Sequence, residues 1–499
     1  MASLKKLAGQ TAWYGLSSIF ARFLNYLLTP YLTHTLVLSD YGEMTTIYSA
    51  IPFINVIFTY GLETTFFRFS NKDYDGKTVF STASISLIVS TLLFTVLLYI
   101  CRAPLAGLLR IEQHPEFITW VALIIACDTL ATLPFAKLRN DGKPRKYAFI
   151  RVLGILVNIG LTFFFYSILP KLAAAHPQSF IAGWYNPQMG AGYVILANLA
   201  QSVITLLLLS AEFFDIKAAF NGKLWREMMI YSLPIMVAGF GGMINETFDR
   251  VMLGWWAPVH SKLEAKEQVG IYGACYKLSI LITLFIQAFR MGAEPFFFHA
   301  AKEESAPKTY ARVMKFFVIT ICTMFLVVML YLDVWKHFIS NPRMWVGLRV
   351  VPILLIANMC LGVYYNLSIW YKLSNNTRAG ATITLIGAGI TLLINYTLIP
   401  YFGYMACAWA TLLCYGSMML LSYFWGQKVY HVPYATRKLL TYFTIMLLLY
   451  AAQVGISQLT PVLLIRYATG TILLVLYLLL IIRVERKELQ RMPFIGKYL

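Results

Sequence analysis

VFSTASISLIVSTLLFTVLLYIC, the stretch from Val79 to Cys101, carries no charged side chain, and its length suits the roughly 20 residues of helix that cross a bilayer core. It reads as a membrane span. Working outward, comparable apolar runs lie at 10 to 33, 45 to 66, 79 to 101, 116 to 136, 149 to 169, 190 to 211 and 228 to 255. Further runs lie at 269 to 298, 313 to 332, 348 to 371, 379 to 400, 403 to 425, 438 to 459 and 462 to 482. The pattern predicts an all-α, polytopic membrane protein with about 14 transmembrane helices and no sizeable soluble domain.

Composition agrees: 59% of the 499 residues are hydrophobic and 13% charged, where soluble domains run at about 45 to 50% and about 25%. An ordinary cytoplasmic enzyme is excluded. The net charge of +19 raises nucleic-acid binding, but no basic patch is interleaved with a soluble fold, so no nucleic acid is expected. The seven cysteines, at 101, 127, 275, 322, 360, 407 and 414, lie in or beside apolar segments and show no disulfide or zinc spacing. Neither metal nor cofactor is expected. Lys5 and Lys6 before an apolar run imitate a signal peptide, yet that run holds Arg22 and Asn25 and lacks a small-residue cleavage site. It reads as a retained first span.

Lys and Arg accumulate in cytoplasmic loops. With bases at the edges of the runs counted with the adjoining loops, 28 of the 41 lie on the side of the N-terminus, the alternate loops and the C-terminal tail, nine lie in the opposite loops, and four lie deep within spans. Both termini are thus expected in the cytoplasm. The strongest marker is Lys137 to Arg151, with six basic residues around Asn140-Asp141-Gly142. It is a topology determinant first and a lipid-headgroup contact second. The longest outside loop, about Pro170 to Met189, carries His176 and an interfacial pair, Trp184 and Tyr185.

A duplication runs through the chain. Gly61-Leu62-Glu63-Thr64-Thr65-Phe66-Phe67 matches Gly292-Ala293-Glu294-Pro295-Phe296-Phe297-Phe298 at an offset of 231; Tyr48 and Tyr276 are offset by 228; Ser167-Ile168-Leu169-Pro170 echoes Thr397-Leu398-Ile399-Pro400 at 230. Each copy holds six spans, an even number, so the copies enter the membrane in the same sense. This predicts two six-helix lobes, 1–222 and 223–430, related by a pseudo-twofold axis along the membrane normal, with two C-terminal helices and a tail at 431–499.

Asn395-Tyr396-Thr397-Leu398-Ile399-Pro400-Tyr401-Phe402-Gly403, followed by Ala406, Ala408, Ala410 and Thr411, resembles a motif of the polysaccharide transporter family. These are the lipid-linked oligosaccharide flippases of the multidrug/oligosaccharidyl-lipid/polysaccharide exporter superfamily. Weaker matches are Gly42, Gly61 and Arg68, Leu138-Arg139 with Tyr147, and Asp249-Arg250 with Leu253-Gly254. Met405-Ala406 departs from the second small residue usual after the motif glycine. The resemblance implies transfer of an undecaprenyl-diphosphate-linked oligosaccharide, a polyprenyl-diphosphate-linked partner, across the cytoplasmic (inner) membrane for O-antigen, capsule or exopolysaccharide assembly. Membrane lipids, a coupling ion (proton or sodium) and glycan assembly proteins are the further partners it implies.

An ionisable group at membrane depth costs about 2.5 to 3.5 kcal/mol on insertion scales, so it faces a cavity or a partner. Four bases fall in spans away from their edges: Arg22, Arg250, Lys277 and Arg290. They are the candidate contacts for an anionic substrate, a guanidinium binding phosphate through two hydrogen bonds and an ammonium adding a compact charge. The acids Glu246, Asp249, Glu63, Glu294 and Asp128 are candidates for gating or coupling. Glu246 with Arg250 and Arg290 with Glu294 stand four apart and could equally be structural pairs along one helix face. The glycines Gly239, Gly241, Gly242, Gly387 and Gly389 read as close-packing positions.

Two rivals remain. A membrane-embedded glycan polymerase or ligase would need a large outside loop with catalytic side chains, whereas the longest here offers only Lys171 and His176. A drug or cation exporter of the same superfamily would move small amphipathic cations and leave glycan assembly untouched. A non-enzymatic flippase is the preferred reading.

Overall fold

The computed structural model describes residues 2–70, 74–216, 220–301, 303–374 and 376–490, with the backbone alone at 2–14, 16–18, 294, 295 and 299. Among the described residues every regular element is helical. Twelve helical segments among the described residues are long and apolar enough to cross a membrane, from Leu38–Ser70 to Leu463–Leu489. Two further expected spans correspond to Ala2–Thr35, whose first half is described as backbone only, and to Gly192–Leu208, with 17 residues. Exposure follows the same logic. On Gly76–Ile100, Val89, Leu92, Leu93, Val96, Leu97 and Ile100 all face outward, which only a lipid surround makes favourable. The protein is a multi-pass membrane protein.

The chain divides into two compact units. The first comprises Met1–Ala274, Asn341–Val346 and Thr384–Thr411. Within it Pro115–Asn140 packs between Gly76–Ile100 and Gly192–Leu208, Ala2–Thr35 lies along Pro144–Phe163, and Leu38–Thr59 lies along Gly222–Trp256. The second comprises Cys275–Ser340, Gly347–Ile383 and Leu412–Leu499. At its centre Ala306–Leu330 contacts Val351–Leu367, Thr436–Leu459 and Leu463–Leu489.

Within the first unit, Leu38–Thr59 crosses the start of Lys262–Ala300 at two glycines. A Cβ on Gly42 would overlap the Lys266 carbonyl, and one on Gly270 would lie 2.7 Å from the Leu38 carbonyl oxygen. Gly42 and Gly270, like Leu38 and Lys266, are separated by the 228 residues that relate Tyr48 to Tyr276. Each glycine thus meets the repeat counterpart of the other's contact, the reciprocity that a twofold axis between two helices produces. Backbone contact this close needs glycine on both sides. Gly42→Ala is expected to force the helices apart at the ~1 to 3 kcal/mol of an overpacked core site, measured as a lower melting temperature of the purified protein. An unchanged melting temperature would show that the crossing yields freely.

Charges assigned to loops by sequence lie inside helices. Leu38–Thr59 begins seven residues before the expected span, because Glu43 is buried and ion-paired with Lys266. The basic loop behaves likewise. Lys137 and Lys146 both bind the buried Glu212, at 2.9 and 2.8 Å, and Arg139 pairs with Glu63. Burial raises the Glu212 carboxyl, but the ammonium groups of Lys146 and Lys137 outweigh it and hold the group below its usual range.

Candidate functional site

Asp249 and Arg250 lie near the end of the long helix Gly222–Trp256, both buried. The Arg250 guanidinium donates to Asp249 Oδ1 at 3.2 Å and to the Glu246 main-chain oxygen at 2.7 Å. Tyr272 donates its hydroxyl to Asp249 Oδ2 at 2.6 Å, and the Cys407 thiol lies 3.7 Å from the Asp249 carbonyl oxygen. One turn earlier, Asn245 donates to the Thr384 carbonyl and accepts from Thr391. This is a closed polar cluster inside the first unit. Sequence spacing suggested Glu246 as the partner of Arg250; the structure gives it the adjacent acid, with Glu246 contributing its carbonyl and turning its side chain outward.

The motif glycine, Gly403, explains itself. It adopts a left-handed φ of 55° between Thr377–Phe402 and Tyr404–Val429, and a Cβ there would lie 2.6 Å from Gln268 Oε1. A side chain is disfavoured twice, by conformation and by space.

The other candidates lie on other helices. Arg22, in Ala2–Thr35, is exposed beside the exposed Phe20, Phe23 and Leu27. Asp128 is exposed on Pro115–Asn140. Glu63, just beyond the break where Tyr60 and Gly61 take φ of 32° and 74°, is held by Arg139, a residue of the basic loop. In the second unit Lys277 is half-buried, and Arg290 is exposed with its guanidinium 4.8 Å from the Tyr365 ring centroid. Glu294 is described by its backbone alone.

Sequence reasoning missed one site. Lys315 Nζ binds Glu485 Oε2 at 2.6 Å and Glu488 Oε1 at 2.7 Å, while Lys438 and Tyr442 donate to Glu485 Oε1. The side chains of Lys315 and Glu485 are only 6% and 2% exposed. Lys315 stands at the edge of the run 313 to 332 and Glu485 just beyond the last run, so both look like loop and tail charges in sequence. A signal was present: Arg312 and Lys315 repeat at i, i+3, as Glu485 and Glu488 do, which puts complementary charges on single faces of two helices. Among the described residues no group of three or more His, Cys, Asp or Glu could hold a metal ion.

The sequence profile of the polysaccharide biosynthesis protein family matches residues 7–301, more than half the chain. The chain belongs to that family. No curated protein sequence matches it. Among solved structures it resembles the lipid II flippase MurJ in an inward closed conformation, with a TM-score of 0.67, 13% identity, and 94% of this chain and 98% of that chain covered. It also resembles the inward-facing conformation of a multidrug resistance MATE family transporter of the MOP superfamily, with a TM-score of 0.62, 14% identity, and 84% and 94% covered. The chain therefore shares the fold of these two solved structures.

Proposed function

We propose that the protein is a flippase that carries an undecaprenyl-diphosphate-linked oligosaccharide repeat unit from the cytoplasmic to the outer leaflet of the inner membrane, by alternating access, for surface polysaccharide assembly. The observation that carries this reading is a polysaccharide biosynthesis family match on a chain with the fold of a lipid II flippase and of MATE transporters. In this reading the chain has fourteen spans and cytoplasmic termini, with lobes at 1–222 and 223–430 and an appended 431–499. Arg22, Lys277, Arg250 and Arg290 are the candidate contacts for the diphosphate. Glu246, Asp249, Glu63, Glu294 and Asp128 serve gating or coupling to a proton or sodium ion. Glycan assembly proteins then act on the product, and the chain itself makes and breaks no covalent bond.

Depleting the protein is expected to strand the linked unit on the cytoplasmic leaflet, seen by lipid extraction as accumulation of undecaprenyl-diphosphate-linked oligosaccharide while surface glycan falls. Persistence of surface glycan without accumulation would defeat the flippase reading. A drug or cation exporter has the MATE likeness in its favour; it predicts that same negative result, together with sensitivity to amphipathic cations.

A further inference from the structure

A small pocket opens within the second unit, lined by Phe289, Arg290, Phe297, Gly362, Tyr365 and Asn366. Asn366 is 6% exposed; its Nδ2 donates to the Gly362 carbonyl oxygen at 3.1 Å, which fixes the amide orientation, and its Oδ1 is buried with no hydrogen-bond partner. An unsatisfied buried acceptor is costly, and a donor that reaches it recovers that cost. The pocket offers about 10 Å³ to the centre of a water-sized group, room for one such group, for example a hydroxyl oxygen. On the same wall Arg290 stands over the Tyr365 ring, its guanidinium supplying donors suited to an anion. The pocket therefore asks for a ligand with one O–H or N–H donor close to an anionic oxygen.

We infer that this pocket is a subsite for the glycosyl phosphate junction of the lipid-linked substrate: Asn366 Oδ1 accepts from the hydroxyl next to the anomeric carbon, and Arg290 faces the phosphate. This rests on the flippase reading and adds Asn366 as the residue that senses the presence of a sugar. Every pyranosyl phosphate with a free C2 hydroxyl presents the same pair of groups, so the subsite reads the junction and not the identity of the sugar. A phospholipid headgroup such as phosphoethanolamine shares the chemistry of a donor beside a phosphate, and the test separates the two.

Full-length protein in lipid nanodiscs is challenged with undecaprenyl phosphate, with the same lipid bearing one glucose, and with phosphatidylethanolamine, retention being read by native mass spectrometry. Wild type is expected to retain the glucosylated lipid about tenfold over undecaprenyl phosphate, the ~1.4 kcal/mol of one buried hydrogen bond. Asn366→Leu is expected to reduce that preference to within about twofold at unchanged melting temperature, and Asn366→Ser, which keeps an acceptor, to restore part of it. An undiminished preference in Asn366→Leu, or no preference in wild type, overturns the subsite while leaving the flippase reading to the depletion experiment. Equal retention of phosphatidylethanolamine, weakened equally by Asn366→Leu, overturns it in favour of a headgroup site. Failure of wild type to retain either polyprenyl lipid counts against both readings.

Discussion

Replacing Glu485 by alanine is expected to remove most of the protein from the membrane fraction. Its carboxylate, 2% exposed, joins Lys315 of Ala306–Leu330 to Lys438 and Tyr442 of Thr436–Leu459. Three helices of the second unit therefore meet on one side chain, since Glu485 itself belongs to Leu463–Leu489. Removing one partner of a buried pair leaves an uncompensated charge and costs about 3 to 5 kcal/mol, whereas replacing both by apolar groups of similar volume is often neutral. Glu485→Ala should thus lose abundance sharply, with Glu488 keeping part of the contact to Lys315 at 2.7 Å. The double variant Lys315→Met, Glu485→Leu should recover it. Quantifying membrane-fraction protein for all three checks both halves. Normal abundance of Glu485→Ala would mean that the cluster is solvated in the folded protein and contributes little, as exposed pairs do.

That cluster shows what the sequence makes legible and what it conceals. The all-helical, many-span architecture follows from apolar runs because a bilayer demands a fixed length of uncharged helix, and Val79 to Cys101 falls almost entirely within Gly76–Ile100. Span ends do not follow so simply. A charge at the edge of an apolar run looks like the start of a loop, but Glu43 with Lys266, and Lys315 with Glu485, are drawn inside by partners more than 100 residues away. Such pairings are invisible to local pattern. Helical spacing also misjudged Arg250, because i, i+4 geometry competes with an adjacent carboxylate that Tyr272 holds in place. In contrast, the glycine of the Asn395 to Gly403 motif was identifiable from sequence and is explained by its left-handed backbone. Gly42 and Gly270, 228 residues apart, are both positions where the opposing backbone leaves no room for a Cβ. Asn366 carried no signal at all, since an unsatisfied amide is a property of surroundings and not of spacing.

Arg22→Glu is expected to abolish glycan export while leaving the protein in the membrane. Arg22 sits in an apolar helix among exposed Phe20, Phe23 and Leu27, and is itself exposed. A guanidinium at membrane depth is not stable against lipid alone, so it faces water, a counter-charge or an anionic ligand. If the ligand is the diphosphate of a carrier lipid, a unit charge pair at 4 Å is worth about 4 kcal/mol at an effective dielectric of 20, before any desolvation cost. That exceeds the ~2.5 to 3.5 kcal/mol needed to hold a base in the membrane. Arg22→Ala should then lower export at least tenfold, equivalent to about 1.4 kcal/mol. Arg22→Lys should retain part of it, because charge survives while bidentate geometry does not. Lys277→Ala should behave like Arg22→Ala, since its half-buried ammonium lies in an equally apolar stretch. A purely structural role for Arg22 makes a different forecast: abundance falls, and export falls only in proportion to it. Measuring membrane abundance and surface glycan together in the same cells separates the two, and full export at normal abundance in Arg22→Glu would remove Arg22 from the binding site altogether.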